Sequence, residues 1–324
     1  MSQYAHPEVL VDTQWLEEHL NDPNLRVVEV DISPDSCKNA RIPGAVFWNI
    51  FTDLLLPDRR INCDRIAIEK LLSRSGITNE TTVVAYGSYP ATGGWIFWLL
   101  KLFGHDNLRV LNGGYQKWIS EGRPVATEFS TFAPTQYSVK ALDASLRASH
   151  EEVRESIKPL QQTKYRTGET PTPQEIWSKS IAQSDSLMGR LRDSAKQIAQ
   201  RANRILLDVR APQEYNGEWF FNQPPQGTER AGHIPGAVHI DHILTLNEDG
   251  TFKSRDELQA LFNSKGITPD KEVFPYCAIG GRSGYTWFVL KYLLGYPNVR
   301  NYDGSWNEWS RLGDVAIASE NSTD

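Results

Sequence analysis

The sequence predicts an α/β protein of two similar, doubly wound domains in tandem, each with a mainly parallel central sheet flanked by helices. Three observations lead to this fold class. Residues 83–118 align with residues 273–309, so the chain contains an internal repeat. In both copies, apolar runs of strand length alternate with helical patterns, which is typical of a parallel sheet covered on both faces. A length of 324 residues suits about two domains.

The repeat continues upstream of the aligned segment. Residues 41–46 (Arg-Ile-Pro-Gly-Ala-Val) match residues 233–238 (His-Ile-Pro-Gly-Ala-Val), and residues 75–78 match residues 265–268. The matches occur in the same order at a nearly constant offset. This offset is far longer than the roughly 20–50 residues of a solenoid unit, so a whole domain has been duplicated.

Two strands are predicted in each copy, because four short runs are rich in β-branched and other apolar residues. These runs are residues 25–30, 83–86, 204–209 and 272–276. An apolar helix is expected after the second strand of each copy, over residues 95–103 and 285–294. Each of these helices should end at a glycine in the left-handed conformation, Gly104 or Gly295.

Capping residues predict where the other helices begin. Thr13 is the expected N-cap of a helix over residues 13–20. Ser254 with Glu257 three residues later forms a capping box for a helix over residues 254–262.

The repeat and the composition also divide the chain into domains. The predicted divisions are a first domain over 1–125, a linker over 126–148, a second domain over 149–318 and, within it, an insertion at about 158–203. Ser149 and Glu152 form a further capping box where the second domain begins. The insertion has no counterpart in the first copy, and a surface excursion is favoured over a functional lid.

The composition excludes several classes of function. Hydrophobic residues make up 40% and charged residues 23%, and no apolar run approaches the roughly 18 residues of a membrane span. The formal net charge of −6 disfavours a nucleic-acid surface, because such surfaces draw their affinity from neutralised phosphates. The start of the chain lacks the basic and apolar regions of a signal peptide, so a cytoplasmic location is expected.

Three cysteines, Cys37, Cys63 and Cys277, lie far apart and without Cys-x-x-Cys spacing. An odd number in a reducing compartment argues against a disulfide framework or a structural zinc site, so at least one thiol is free. His239 and His242 are interpreted as an incidental pair and not as metal ligands. We therefore expect no metal and no organic cofactor.

The segment that we call the cysteine loop follows a predicted strand and precedes a predicted helix. It consists of Cys277, Ala278, Ile279, Gly280, Gly281, Arg282 and Ser283. At such a position, backbone N–H groups and the positive end of the helix dipole point at one spot. The glycines let the backbone curl, and Arg282 adds positive charge, so the thiolate of Cys277 is favoured. Ser283 is expected to cap the helix.

Most cysteines at strand ends are buried, inert small hydrophobes. That interpretation does not explain two glycines, an arginine and a helix start beside Cys277. The first copy has Gly87 at the equivalent position, so the fold does not require a thiol there. We therefore predict that Cys277 is a nucleophile, whereas Cys37 and Cys63 have no cationic or glycine-rich neighbourhood and are expected to be inert.

These motifs resemble those of the rhodanese family, and the chain looks like a tandem-domain thiosulfate sulfurtransferase. Rhodanese loops resemble Cys-Arg-x-Gly-x-Arg-Ser/Thr, which the cysteine loop matches except at Ala278. Gly-His-Ile-Pro-Gly-Ala follows at 232–237, and Asp-Gly-Ser-Trp at 303–306 precedes Trp309. The resemblance covers both repeats and implies that only the second domain is catalytic.

The resemblance implies a sulfurtransferase that works by a ping-pong mechanism. Cys277 would attack the outer sulfur of thiosulfate and release sulfite, and the Cys277 persulfide would pass its sulfur to cyanide or a thiol. The implied partners are a small-molecule donor and a thiophilic acceptor, with a protein thiol as a further acceptor. Only four residues separate Cys277 from Arg282, one fewer than in cysteine phosphatases, which favours sulfur over phosphate chemistry.

The residues that would bind the donor are less clearly marked. Arg282 either holds the anionic donor or braces the loop, and both interpretations stay open. Arg230 is a second candidate for the anionic end of the donor, against a favoured interpretation as a solvated turn residue. Glu214 stands where many family members carry a donor-binding arginine, so positive charge near Cys277 is thin. His233 is interpreted as a structural histidine.

Two alternative functions remain beside thiosulfate transfer. Loops of the related mercaptopyruvate sulfurtransferases resemble Cys-Gly-Ser/Ala-Gly-Val-Thr, and Arg282 argues against that activity. The chain could instead be a persulfide carrier or a sulfur-sensing partner module, with the insertion at 158–203 docking another protein.

Overall fold

A computed structural model of the protein describes residues 3–37, 40–157 and 203–319. The predicted insertion at 158–203 lies outside the described residues, apart from Asn203. Within the described ranges, the structure has no helix with the length and apolar character needed to cross a membrane.

The first domain is built on a sheet of five parallel strands, which occur in the spatial order β1-β5-β4-β2-β3. The strands are β1 (Leu10–Val11), β2 (Leu25–Asp31), β3 (Val46–Asn49), β4 (Thr82–Tyr86) and β5 (Leu108–Leu111). The helices are α1 (Thr13–His19), α2 (Arg65–Arg74), α3 (Thr92–Leu102) and α4 (Gly114–Ser120). Every residue of β2 is buried, as expected for a strand near the centre of a covered parallel sheet.

The second domain repeats this arrangement. Its strands are β6 (Arg204–Asp208), β7 (Val238–His239) and β8 (Glu272–Tyr276), which are parallel and lie in the order β7-β6-β8. Parallel bridges from Val273 to Val299 and from Arg147 to Asn301 extend the sheet beyond β8. The helices are α5 (His150–Ile157), α6 (Pro212–Asn216), α7 (Arg255–Asn263), α8 (Gly281–Phe288) and α9 (Ser305–Trp309). The predicted fold class is confirmed.

Of the three N-caps predicted outside the cysteine loop, two are correct. Ser149 with Glu152 and Ser254 with Glu257 both form reciprocal capping boxes at the starts of α5 and α7. The prediction for Thr13 is wrong, because Asp12 is the N-cap of α1 and accepts a hydrogen bond from the backbone N–H of Trp15. The Thr13 hydroxyl donates instead to the Glu121 carboxylate, directly after α4.

Both apolar helices begin earlier than predicted, at the loops that precede them. α3 starts at Thr92 and α8 at Gly281, and a π-helical turn over Val289–Leu293 continues α8. Gly104 and Gly295 follow these helices with φ of +76° and +79°, so their predicted left-handed conformations are confirmed.

The two domains pack together through α3 and α8. A Cβ atom at Gly94 of α3 would lie 2.8 Å from Tyr285 Cδ2, and one at Gly284 of α8 would lie 3.1 Å from Trp95 Cδ1. The helices therefore approach closely only because glycine stands at the contacts. This packing brings the loops before α3 and α8 to the same cleft.

The predicted linker runs along the first domain. Ala126 forms an antiparallel bridge with Arg41, and the backbone N–H of Thr135 donates to the Ser73 carbonyl at 2.9 Å. The Arg26 guanidinium lies 3.5 Å from the centre of the Phe132 ring. The linker thus packs on the first domain before Arg147 joins the second sheet. The boundaries 1–125, 126–148 and 149–318 stay predictions.

Candidate active site

A cavity of about 470 Å³ lies in the cleft between the domains. Five residues of the cysteine loop line it: Cys277, Ala278, Ile279, Gly281 and Arg282. The opposite wall comes from the first domain and includes Arg59, Tyr89 and Trp95. A substrate that reaches Cys277 must therefore contact both domains.

The sulfur of Cys277 is surrounded by hydrogen-bond donors from its own loop. The backbone N–H of Gly280 donates to Sγ at 3.2 Å, and the Ser283 hydroxyl lies 3.5 Å from it. Gly280 has φ of +91°, and a Cβ there would lie 2.7 Å from the Asp303 carbonyl oxygen, so only glycine fits. Both donors lie at the start of α8, where they can hydrogen-bond to the sulfur of Cys277 or of a persulfide formed on it.

Ser283 does not cap α8, so that prediction is wrong. Gly280 is the N-cap residue and offers no side chain, and the helix begins at Gly281. Ser283 is therefore inside the first turn, with its hydroxyl facing the sulfur of Cys277. Because Gly280 adopts the left-handed conformation as N-cap, α8 begins at Gly281, closer to Cys277 than the predicted start at residue 285.

The segment at 303–306 holds the backbone of the cysteine loop from the other side. The Cys277 N–H donates to Ser305 Oγ at 3.0 Å, and the Trp306 N–H donates to the Cys277 carbonyl at 2.9 Å. The Asn307 N–H donates to the Ala278 carbonyl at 2.9 Å. Ser305 itself has φ of +53°, which is unusual for a serine and is stabilised by these contacts. The motif was visible in the sequence, but its role in fixing the nucleophile was not.

Arg282 forms a bidentate ion pair with Glu214 of α6, with N–O distances of 2.6 and 2.9 Å. The Glu214 side chain is 1% exposed and that of Arg282 is 15% exposed. Burial alone lowers the pKa of Arg282, but the bonded carboxylate outweighs burial and keeps that pKa above its ordinary value. Of the two interpretations left open, the geometry supports bracing, because the pair ties the cysteine loop to α6.

Comparison with known proteins identifies the family of the chain. A family model described as the rhodanese-like domain matches residues 12–121 and, separately, residues 191–312. The chain belongs to the rhodanese family. Both copies of the repeat are rhodanese-like domains, and the resemblance inferred from the motifs is confirmed.

Relatives of nearly the same length have names related to sulfur transfer. The sulfur carrier protein TtuD of Thermus thermophilus is 42% identical over 97% of this chain and 98% of its own. Proteins provisionally named thiosulfate sulfurtransferase are 36% identical in Mycolicibacterium smegmatis and 35% identical in Saccharopolyspora erythraea, each over 97% of this chain. These alignments cover 98% and 97% of the two relatives.

A solved structure shares the fold. The anaerobic ergothioneine biosynthesis enzyme of Chlorobium limicola superposes with a TM-score of 0.74, covering 98% of this chain and 72% of that enzyme. The identity is 22%, so this likeness concerns the fold alone.

The first rhodanese domain cannot hold a sulfur in the same way. Gly87 replaces the cysteine, and a Cβ there would lie 2.4 Å from the Val30 carbonyl oxygen. In the repeat alignment, Pro90 occupies the place of Gly280 and has no N–H, while Gly93 occupies the place of Ser283 and has no hydroxyl. The cysteine and both donors to its sulfur are missing together.

The other two cysteines of the protein are in environments that disfavour the thiolate. Burial raises the pKa of Cys37, and the nearby carboxylate of Glu29 raises it further. Burial also raises the pKa of Cys63, which lines a separate, larger cavity of about 690 Å³ away from Cys277. Both observations agree with the expectation that these two thiols are inert.

Arg230 is placed away from the cysteine loop. Its guanidinium donates to the Leu312 carbonyl at 2.7 Å and the Val315 carbonyl at 2.6 Å, and its own carbonyl accepts from Trp306 Nε1. It therefore fastens the end of the rhodanese domain, and among the described residues it is not part of the cavity wall. His233 Nδ1 is 2.9 Å from the Tyr215 carbonyl, as expected for a structural histidine.

Arg59 is a cavity residue that sequence reasoning missed. It sits on a turn of the first domain with φ of +66°, and Asn307 Nδ2 ties this turn to the second domain by donating to the Asp58 carbonyl at 2.9 Å. The Arg59 guanidinium lies 5.3 Å from the centre of the Phe221 ring, and within residues 3–37, 40–157 and 203–319 it has no ion pair. Its place at the cavity follows from domain packing, for which the sequence offers no signal.

Proposed function

We propose that the protein is a sulfurtransferase that moves the sulfane sulfur of thiosulfate to cyanide or a thiol through a persulfide on Cys277, with release of sulfite. The single observation that carries this proposal is the environment of the Cys277 sulfur. The sulfur accepts a hydrogen bond from the Gly280 N–H and faces the Ser283 hydroxyl at the wall of a cavity. Membership of the rhodanese family and the names of the relatives support the same chemistry.

In the first half-reaction, the Cys277 thiolate attacks the outer sulfur of thiosulfate. The S–S bond of thiosulfate breaks, and sulfite leaves with the electron pair. The Gly280 N–H already donates to Cys277 Sγ, so its hydrogen bond needs no rearrangement to stabilise negative charge on that sulfur as the reaction proceeds. In the second half-reaction, the acceptor attacks the terminal sulfur, and the Cys277 thiolate is regenerated.

The charges at the cavity support different roles for the two arginines. Glu214 already neutralises Arg282, which therefore braces the loop and contributes little net attraction for an anionic donor. Arg59 keeps its positive charge at the cavity wall and is the residue that would attract the sulfonate end of thiosulfate.

Product analysis tests this function and its nearest alternative. With thiosulfate and cyanide, we expect sulfite and thiocyanate in equal amounts, and no turnover in Cys277→Ser. Turnover of mercaptopyruvate to pyruvate without turnover of thiosulfate would assign the sister activity. Turnover of neither donor would contradict both enzymatic functions.

A persulfide carrier is the second candidate, because the relative that is 42% identical is named a sulfur carrier protein. A carrier should keep its persulfide in the presence of cyanide or small thiols and give it up to a protein thiol. Mass measurement of the loaded protein after each challenge separates a carrier from an enzyme that serves small acceptors.

A further inference from the structure

A tyrosine of the first domain reaches across the cleft beside Cys277. Tyr89 belongs to the loop before α3, the counterpart of the cysteine loop, and lines the same cavity as Cys277. Its hydroxyl lies 2.6 Å from Nε2 of His242, which belongs to the second domain. The fold therefore brings residues 153 positions apart into one hydrogen bond at the active cavity.

The surroundings of His242 decide the direction of this hydrogen bond. Its Nδ1 lies 2.9 Å from Asp241 Oδ1 and 3.2 Å from the Val209 carbonyl oxygen. Both partners are acceptors, so a neutral imidazole carries its proton on Nδ1, and Nε2 then accepts from the Tyr89 hydroxyl. Asp241, His242 and Tyr89 thus form an acid–imidazole–hydroxyl chain that ends at the cavity, with the same logic as a catalytic triad.

The electrostatic environment keeps the Tyr89 hydroxyl protonated. Tyr89 is 46% exposed at the cavity, yet partial desolvation still raises the pKa of its hydroxyl; the negative charges of Asp241, Cys277 and Glu214 act in the same direction, while Arg282 opposes them. Burial alone raises the pKa of Asp241, but its contacts with His242, the Ile243 N–H and the charge of Arg282 together hold that pKa below its ordinary value. Tyr89 is therefore suited to pass a proton on to His242, next to an ionised Asp241.

We propose that Tyr89 is the catalytic base that deprotonates thiol acceptors in the second half-reaction, and that His242, oriented by Asp241, positions Tyr89 and receives its proton. The Asp241–His242–Tyr89 chain suits an acceptor that is a protonated thiol. An acceptor that is already ionised does not need it. The inference rests on the proposed persulfide chemistry at Cys277.

The proposed step balances as follows. The thiol R–SH gives its proton to the Tyr89 oxygen while the Tyr89 proton moves to His242 Nε2. The anionic persulfide left by the first half-reaction takes a proton from water and becomes Cys277–S–SH. The electron pair of the thiolate then forms a bond to its terminal sulfur, and the bond between that sulfur and Cys277 breaks. R–S–SH leaves, the Cys277 thiolate keeps the electron pair, and the proton on His242 returns to water.

The first half-reaction needs no such proton transfer, because the Cys277 thiolate attacks an anionic donor and expels sulfite. The two half-reactions should therefore respond differently to loss of the Tyr89 hydroxyl. Tyr4 offers a matched control, since its hydroxyl also crosses between the domains, donating to the Lys253 carbonyl at 2.8 Å, but it does not line the cavity.

The test uses full-length protein loaded with thiosulfate, desalted, and then mixed with one acceptor thiol at mildly alkaline pH. The persulfide that remains is followed by intact mass. 2-Mercaptoethanol is mostly protonated under these conditions, whereas thiophenol is mostly ionised. We expect Tyr89→Phe to slow transfer to 2-mercaptoethanol by about 100-fold and transfer to thiophenol only slightly. His242→Gln should show the same pattern, and Tyr4→Phe should behave like the wild type with both thiols.

Equal slowing with both thiols would overturn the proposal, because a merely structural role for Tyr89 does not depend on the protonation of the acceptor. Wild-type rates with 2-mercaptoethanol in Tyr89→Phe would overturn it as well. Failure of the wild type to load sulfur is a separate outcome, seen before any thiol is added, and would contradict the proposed function instead.

Discussion

Glu214→Gln should destabilise the second domain, because it removes the charge that compensates a buried guanidinium. The carboxylate is 1% exposed and makes two short hydrogen bonds to Arg282. Removing one partner of a buried ion pair costs about 3–5 kcal/mol. Glutamine can still accept one of the two bonds, and Arg282 borders the cavity, so we expect the lower end, about 3 kcal/mol. The freed positive charge should also lower the KM for thiosulfate.

Urea unfolding followed by tryptophan fluorescence measures this cost. The matched variants are Arg282→Met and the double variant, which replaces the whole pair with uncharged side chains. We expect the double variant to lose at least about 1 kcal/mol less than the sum of the two single variants, because it leaves no unpaired buried charge. Asp314→Asn, which removes the exposed partner of Arg154, is the surface control and should change little.

Two results would refute the bracing role of the pair. One is a midpoint of urea unfolding for Glu214→Gln that equals that of the wild type. The other is strict additivity of the two single substitutions in the double variant, which would mean that the two side chains do not depend on each other.

Three further predictions follow from particular contacts. Arg59→Ala should raise the KM for thiosulfate about fivefold, equivalent to about 1 kcal/mol for an exposed charge, whereas steady-state kinetics of Arg60→Ala should match the wild type. Burial raises the pKa of Asp208, but Arg210 outweighs burial and holds that pKa below its ordinary value. The ionised Asp208 carboxylate therefore stabilises the fold fully above about pH 4, and this stabilisation is lost as the pH falls further. In urea unfolding at a series of pH values, the stability lost in Asp208→Asn should be constant above about pH 5 and shrink below about pH 4, and a loss that grows as pH falls would contradict that sign. Gly87→Cys should destabilise the first domain and, in a Cys277→Ser background, should gain no sulfur by intact mass; a sulfur adduct on that double variant would contradict the loop argument.

Much of the fold could be predicted from sequence because its signals are local. The strands predicted from apolar runs agree with the structure within one or two residues, and the glycines after the two apolar helices have the expected left-handed conformations. The N-cap of α1 was misplaced because Asp12 and Thr13 are both capable caps and adjacent. The start of α8 was misplaced because Gly280 begins the helix at the loop itself.

The candidate site was only half visible in the sequence. Cys277 and its glycines form one continuous loop, so backbone chemistry alone indicates a nucleophile. The pairing of Arg282 with Glu214 and of Tyr89 with His242 depends on tertiary packing between distant segments. Arg230 shows the opposite case. It stands next to a motif in the sequence, but its guanidinium donates to the carbonyl groups of Leu312 and Val315 and does not reach the cavity.

Intact-protein mass measurement after exposure to thiosulfate tests the central claim most directly. The wild type and Cys63→Ser should each gain the mass of one sulfur atom, lose it on treatment with cyanide, and release sulfite when the sulfur is loaded. Cys277→Ser should gain nothing. A sulfur adduct that persists in Cys277→Ser, or none in the wild type, would contradict persulfide chemistry at Cys277.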